Sequence, residues 1–151
     1  MPFVATSILA LCAAFGAWLD VIDRRLPNWL CLVTALTGLA LAFAGGGAGA
    51  LGSAALHGAL ALAFGMALFG FGWIGGGDAK FYAACAAWFP LTAGFHLVGA
   101  ISLAGLAVVA VWMLYRHFMR ARTPDETSVQ ATVPYGVAIA VGAILLKAVA
   151  P

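Results

Sequence analysis

Apolar runs about as long as a bilayer is thick divide this chain at a few charged positions. A helix needs about 20 apolar residues to cross the hydrocarbon core, and it must satisfy every backbone polar group internally. Of the 151 residues 65% are hydrophobic and only 8% charged, with a mean hydropathy of +1.08. Seven Lys+Arg and five Asp+Glu cannot supply the polar shell of a soluble domain of this length. The bilayer must be the solvent. A net charge of +2 is too small and too scattered to suggest a nucleic-acid partner, so the placement of the charges carries more information than their sum.

Six spans are expected: about Phe3 to Leu19, Asn28 to Ala44, Leu51 to Ile74, a short one from Phe81 to Phe89, one reaching Tyr115, and one from Val133 to Val149. Gly45-Gly46-Gly47 closes the second, and Pro90 with Gly94 forms the turn after the fourth. The first run lacks a basic segment before it, so it reads as a retained helix and not a cleaved signal peptide. Arg24 and Arg25 then put the first connection in the cytoplasm, and alternation brings Lys80, Arg116, Arg120 and Arg122 to the same side. Six of the seven basic residues agree with this count, and both termini fall on the periplasmic side. Lys147, the exception, is expected to snorkel to the other interface. The expected fold is therefore all-α and polytopic, a single integral membrane domain over residues 1–151 without a repeat, its Gly and Ala suited to close helix packing.

Chemistry-bearing residues are few. Cys12, Cys31 and Cys85 lie far apart in apolar runs and read as small buried hydrophobes. His57, His96 and His117 show no metal-ligand spacing, and Ser7, Ser53, Ser102 and Ser128 have no base motif around them. Asp125 and Glu126 read as solvated, in the polar stretch beside Thr123-Pro124. Asp20, Asp23 and Asp78 sit at span boundaries, where an acid is either functional or an ordinary interfacial charge. Two spans separate Asp20 from Asp78, so both return to one face. A pair of nearby aspartates cannot both ionise easily: one keeps a proton and the other acts as base. Such a pair activates water against a peptide carbonyl without metal or covalent nucleophile. Gly75, Gly76 and Gly77, directly before Asp78, would allow an extended peptide to lie close to the backbone, or would simply form a flexible turn.

Three segments carry a resemblance. Gly75-Gly76-Gly77-Asp78-Ala79-Lys80 matches the Gly-x-Gly-Asp-x-Lys motif of the prepilin peptidases, membrane aspartic proteases of the GxGD class. The stretch from Asp20 to Asn28, with its arginines and Leu26-Pro27-Asn28, resembles their other catalytic segment, and Pro134-Tyr135-Gly136 their carboxyl-terminal one. The short form looks most like the TadV/CpaA-type enzymes that process Flp-type pilins.

The resemblance implies that Asp20 and Asp78 are the catalytic pair. The family's first aspartate stands seven residues before the proline, which selects Asp20 before Pro27 and leaves Asp23 as the competitor. Pro27 reads as breaking the incoming helix and Asn28 as capping the second span. Lys80 either steadies ionised Asp78 or contacts lipid headgroups, and Tyr135 is a supporting residue on the last span. The implied substrate is a prepilin with a basic leader before a hydrophobic helix, cut on the cytoplasmic side of a bacterial inner membrane, in pilus biogenesis and protein secretion. No Cys-x-x-Cys pair occurs, so cleavage is expected without N-methylation, S-adenosylmethionine, metal or other cofactor. Two other classes compete: a small transporter or channel subunit whose acids line an ion path, and a structural scaffold of a secretion machine.

Overall fold

The structure, a computed structural model, describes residues 2–23, 25–120 and 135–149. Arg24, Arg122, Thr123, Pro124, Asp125, Glu126, Ser128, Val133 and Pro134 lie outside the described residues. The described chain is helical: α1 Pro2–Ile22, α2 Asn28–Gly70, α3 Gly76–Ala86, α4 Gly94–Arg120 and α5 Tyr135–Val149, with one 3-10 turn, Leu91–Ala93, between α3 and α4. By length and composition α1, α2 and α4 can each cross a membrane, and α5 is a shorter apolar helix.

Helix α2 departs from the expected pair of spans joined by a loop. Its 43 residues are interrupted only at Gly47, whose φ of 65° and ψ of −156° are open to glycine and strained for any residue with a Cβ. The arms on either side run in opposite directions along α3. On the first arm Asn28 meets Lys80, and Thr34, further along, accepts a 2.9 Å hydrogen bond from Trp88 Nε1. On the second arm Gly58 lies against Ala87, and Gly65, later in the chain, lies against the earlier Ala79. The second arm ends at Gly70, earlier than the expected Ile74. Gly72, at φ 75°, donates to Phe69 O at 2.9 Å, and Trp73 N donates to Leu68 O at 3.0 Å. This pairing of the last carbonyls with residues beyond a left-handed glycine is what stops the helix.

The fourth expected span is the short helix α3, and it begins earlier than expected, so Gly76, Gly77 and Asp78 form its first turn. At 1.5 Å per residue its 11 residues extend about 16 Å, roughly half the hydrocarbon core. It is the buried centre of the bundle, with Ala79, Phe81 and every residue from Ala83 to Phe89 shielded. Two aromatic pegs hold it. Phe81 seats on Gly16 of α1 and Trp88 on Gly38 of α2, where an added Cβ would come within 2.5 Å and 2.6 Å of the rings. Inside a bilayer apolar transfer contributes little to helix association, so such close-packed contacts carry it.

The carboxyl end of α3 leaves carbonyls without helical partners. His57 Nδ1 of α2 donates to Phe89 O at 3.1 Å, and Lys147 Nζ of α5 donates to Trp88 O, also at 3.1 Å. Lys147 thus turns inward, its ammonium 5.2 Å over the Phe89 ring, instead of snorkelling outward. An otherwise unsatisfied carbonyl beside an aromatic face attracts a cation more strongly than the expected interface. Helices α4 and α5 run antiparallel: Gly142 packs on Ile101 and Ala138 faces Gly105.

Candidate active site

Three helix ends meet at one end of this bundle: the carboxyl end of α1 and the amino ends of α3 and α5. Asp20 occupies the last turn of α1, where the helix dipole disfavours an acid. It is nonetheless buried, 8% exposed, because Gly136 N–H at the start of α5 donates to its Oδ2 at 2.8 Å. One of the four unpaired N–H groups of α5 is satisfied by the carboxylate, and the positive end of the α5 dipole offsets the unfavourable position on α1.

Asp78 is the third residue of α3 after the cap, Gly75, which is extended at φ −71° and ψ 143°. Its carboxylate turns back to the backbone N–H of Gly75, the arrangement by which an acid at this position closes a helix start. A Cβ on Gly75 would lie 2.7 Å from Asp78 Oδ2, so the glycine leaves space for the carboxylate it holds. Burial pushes the Asp78 carboxyl up, the neighbouring Asp20 charge pushes it further, and the Gly75 N–H partly opposes both, leaving it at about 6. The charge of Asp20 thus reaches Asp78, as it must in any pair of carboxyls that shares one proton.

The remaining motif residues join the two acidic segments. Lys80 Nζ donates to Asn28 Oδ1 at 3.0 Å, a contact between residues 52 apart in sequence. Gly77 backs onto Leu26, whose Cβ would stand 3.4 Å from an added Cβ, and Gly76 lies under the Phe69 ring. Pro27, extended at φ −69° and ψ 140°, caps α2, so Asn28 is its first helical residue and uses its side chain for Lys80 instead of for capping. Tyr135 opens α5 and is 51% exposed. Asp23 is exposed, beyond the end of α1, and borders a cavity with Leu19, Arg25 and Pro27. Among the described residues no three His, Cys, Asp or Glu side chains converge as a metal site needs.

Gly136 was not among the expected site residues, yet its N–H holds the Asp20 carboxylate. The signal was its place in Pro134-Tyr135-Gly136; what sequence could not supply is that the α5 amino end meets the α1 carboxyl end.

The cross-link predicts a coupled pair. Lys80→Met and Asn28→Ala should each lower turnover by about fivefold, the scale of one exposed charge-assisted hydrogen bond, and the double variant should lose no more than either single one. Comparing the three variants in one peptide-cleavage assay measures the coupling.

No curated protein and no solved structure matches the chain. A family model described as the type IV leader peptidase family matches residues 7–114, a range that contains α2, α3, Asp20, Asp78, Lys80 and the Leu26-Pro27-Asn28 segment. With most of its length and both acidic segments inside that match, the chain belongs to the type IV leader peptidase family.

Proposed function

We propose that this chain is a GxGD-type membrane aspartic endopeptidase that removes prepilin leaders, with Asp20 and Asp78 as its catalytic pair. The observation that carries the reading is that both acids stand at one end of the bundle: Asp20 is buried on the Gly136 N–H in the last turn of α1, and Asp78, in the first turn of α3, feels its charge. Asp23, exposed outside the bundle, has no such environment.

The mechanism follows from one shared proton. Asp20, held in place by the Gly136 N–H, takes a proton from a water molecule. That water attacks the scissile carbonyl, and protonated Asp78 donates a hydrogen bond to the carbonyl oxygen as negative charge grows on it. Return of the proton to the leaving nitrogen breaks the C–N bond and restores the pair. The peptide must be extended to expose its carbonyl, and the ends of α1, α3 and α5 surround the place where it would enter.

Topologically, the acids lie at the cytoplasmic face of a bacterial inner membrane, as the positions of Arg25, Lys80 and Arg116 favour. The two arms of α2, with α1, α3, α4 and α5, make the six helical segments of a multi-pass protein whose termini are periplasmic. The substrate is a prepilin, of Flp type by resemblance, with a basic leader before an apolar helix; we assign the chain no N-methylation.

Co-expression with a Flp-type prepilin tests this. The expected result is a mature pilin shortened by its leader, with an unmethylated amino terminus by mass spectrometry, and unchanged processing in Asp23→Asn. Full-length prepilin in the presence of the folded wild-type protein would overturn the proposal.

A further inference from the structure

The side of α3 facing away from the acids forms the floor of a groove between the two arms of α2. Asp78 and Phe81 lie one turn apart, and Phe81 rests on Gly16, so that face looks toward α1. Lys80, Ala83, Ala84 and Ala87 fall on the opposite face and floor a cavity of about 670 Å³, with Leu32 and Leu62 among its walls. The small floor residues leave it deep. Its polar groups stand at one end, where Lys80 and Asn28 mark the level of the acids.

Length and charge limit what fits. The wall from Asn28 to Leu39 rises about 16 Å at 1.5 Å per residue, close to half of a 30 Å hydrocarbon core, the depth of one leaflet. An extended acyl chain that starts at the interface has this length and meets apolar side chains along it. The charged end is equally particular. Lys80 spends one N–H on Asn28 Oδ1, which leaves two on its ammonium, and the same bond leaves the Asn28 Nδ2 amide with two more. Four donors and one positive charge at the interfacial end of an acyl-sized groove match a phosphodiester anion.

We infer that this groove is a binding site for an anionic phospholipid, one acyl chain lying between the arms of α2 and the phosphate held by Lys80 and Asn28. The site stands apart from peptide cleavage, across α3 from Asp20 and Asp78, and does not rest on the function proposed above. Its polar end is also the cross-link between the two acidic segments, so a bound phosphate would tighten that link from outside the catalytic space.

Native mass spectrometry of the purified wild-type protein, titrated with phosphatidylglycerol or phosphatidylcholine of identical acyl chains, tests the assignment. Adducts of the anionic lipid should exceed those of the zwitterionic one by about fivefold, the increment one lysine contributes near an anionic surface. Lys80→Gln should abolish the preference. Ala59→Phe, at an exposed wall position away from the acids, should fill the groove and remove the strong adduct while Lys80 stays in place. Equal adducts of both lipids on the wild type, or a preference that survives Ala59→Phe, would overturn the inference. So would a photo-crosslinker at Ala59 that captures a prepilin helix in place of lipid.

Discussion

Asp20→Asn and Asp78→Asn are each expected to reduce prepilin cleavage by about a thousandfold or more while leaving a folded protein. General acid–base participation alone contributes about 10²–10⁴ in rate, and here both roles pass through one coupled pair, so neither acid can be lost alone without stopping the cycle. An amide occupies nearly the same volume as a carboxylate and can still accept from Gly136 N–H at position 20 or from Gly75 N–H at position 78. The helix ends should therefore stay together. Leader release in a reconstituted assay measures the loss; retention of more than a tenth of wild-type activity by either variant would remove that acid from the mechanism.

The two variants should separate in stability. The Asp78 carboxyl is raised to about 6 by burial and by Asp20, against an ordinary value near 3.8. A carboxyl raised in the folded state binds more protons folded than unfolded between those values, so stability falls as pH rises from about 4 to 6 and the cost is complete above. Asp78→Asn removes that cost. Its melting temperature should therefore equal or exceed that of the wild type at pH 8, with the advantage shrinking as pH falls toward 4. Lower stability of Asp78→Asn at pH 8 would show that the carboxylate's backbone bond outweighs its desolvation.

What was legible in the sequence follows from the same physics. Apolar run lengths located the helices because a bilayer imposes length and internal hydrogen bonding, and the Gly45-Gly46-Gly47 break and the Pro90 turn fall where the chain reverses. The continuation of α2 on both sides of a single residue was not legible, since three glycines do not say which of them takes the left-handed angle. Nor was the start of α3. Gly76 and Gly77 look like loop residues by propensity, but Asp78 bonding back to Gly75, with Gly77 against Leu26, makes helix the better-satisfied state. Asp20 and Asp78 stood out as expensive charges in an apolar chain. Their partners did not, because Gly136 acts through its backbone, and the contacts of Asn28 and Lys147 depend on which helix ends become neighbours.

Gly136 therefore supports the second large effect. A methyl group at this position would lie 2.8 Å from Asp20 Oδ2 and 2.9 Å from both its Cβ and Cγ, closer than real Cβ contacts allow. Gly136→Ala must displace either the α5 amino end or the Asp20 carboxylate, and both movements lengthen the 2.8 Å bond. A displacement near 1 Å at a catalytic group costs about 10² in rate, so cleavage should fall by about a hundredfold, and Gly136→Val should be worse. Loss of folding alone would give the same activity result, and Gly142→Ala supplies the comparison. Its added methyl would stand 2.6 Å from Ile101 Cα, a collision between α4 and α5 at a site away from the acids. At matched loss of melting temperature, Gly142→Ala should keep a near-normal turnover per folded molecule and Gly136→Ala should not. Equal specific activities would reduce Gly136 to a packing residue; the expected gap makes its N–H part of what holds Asp20 ready to take a proton.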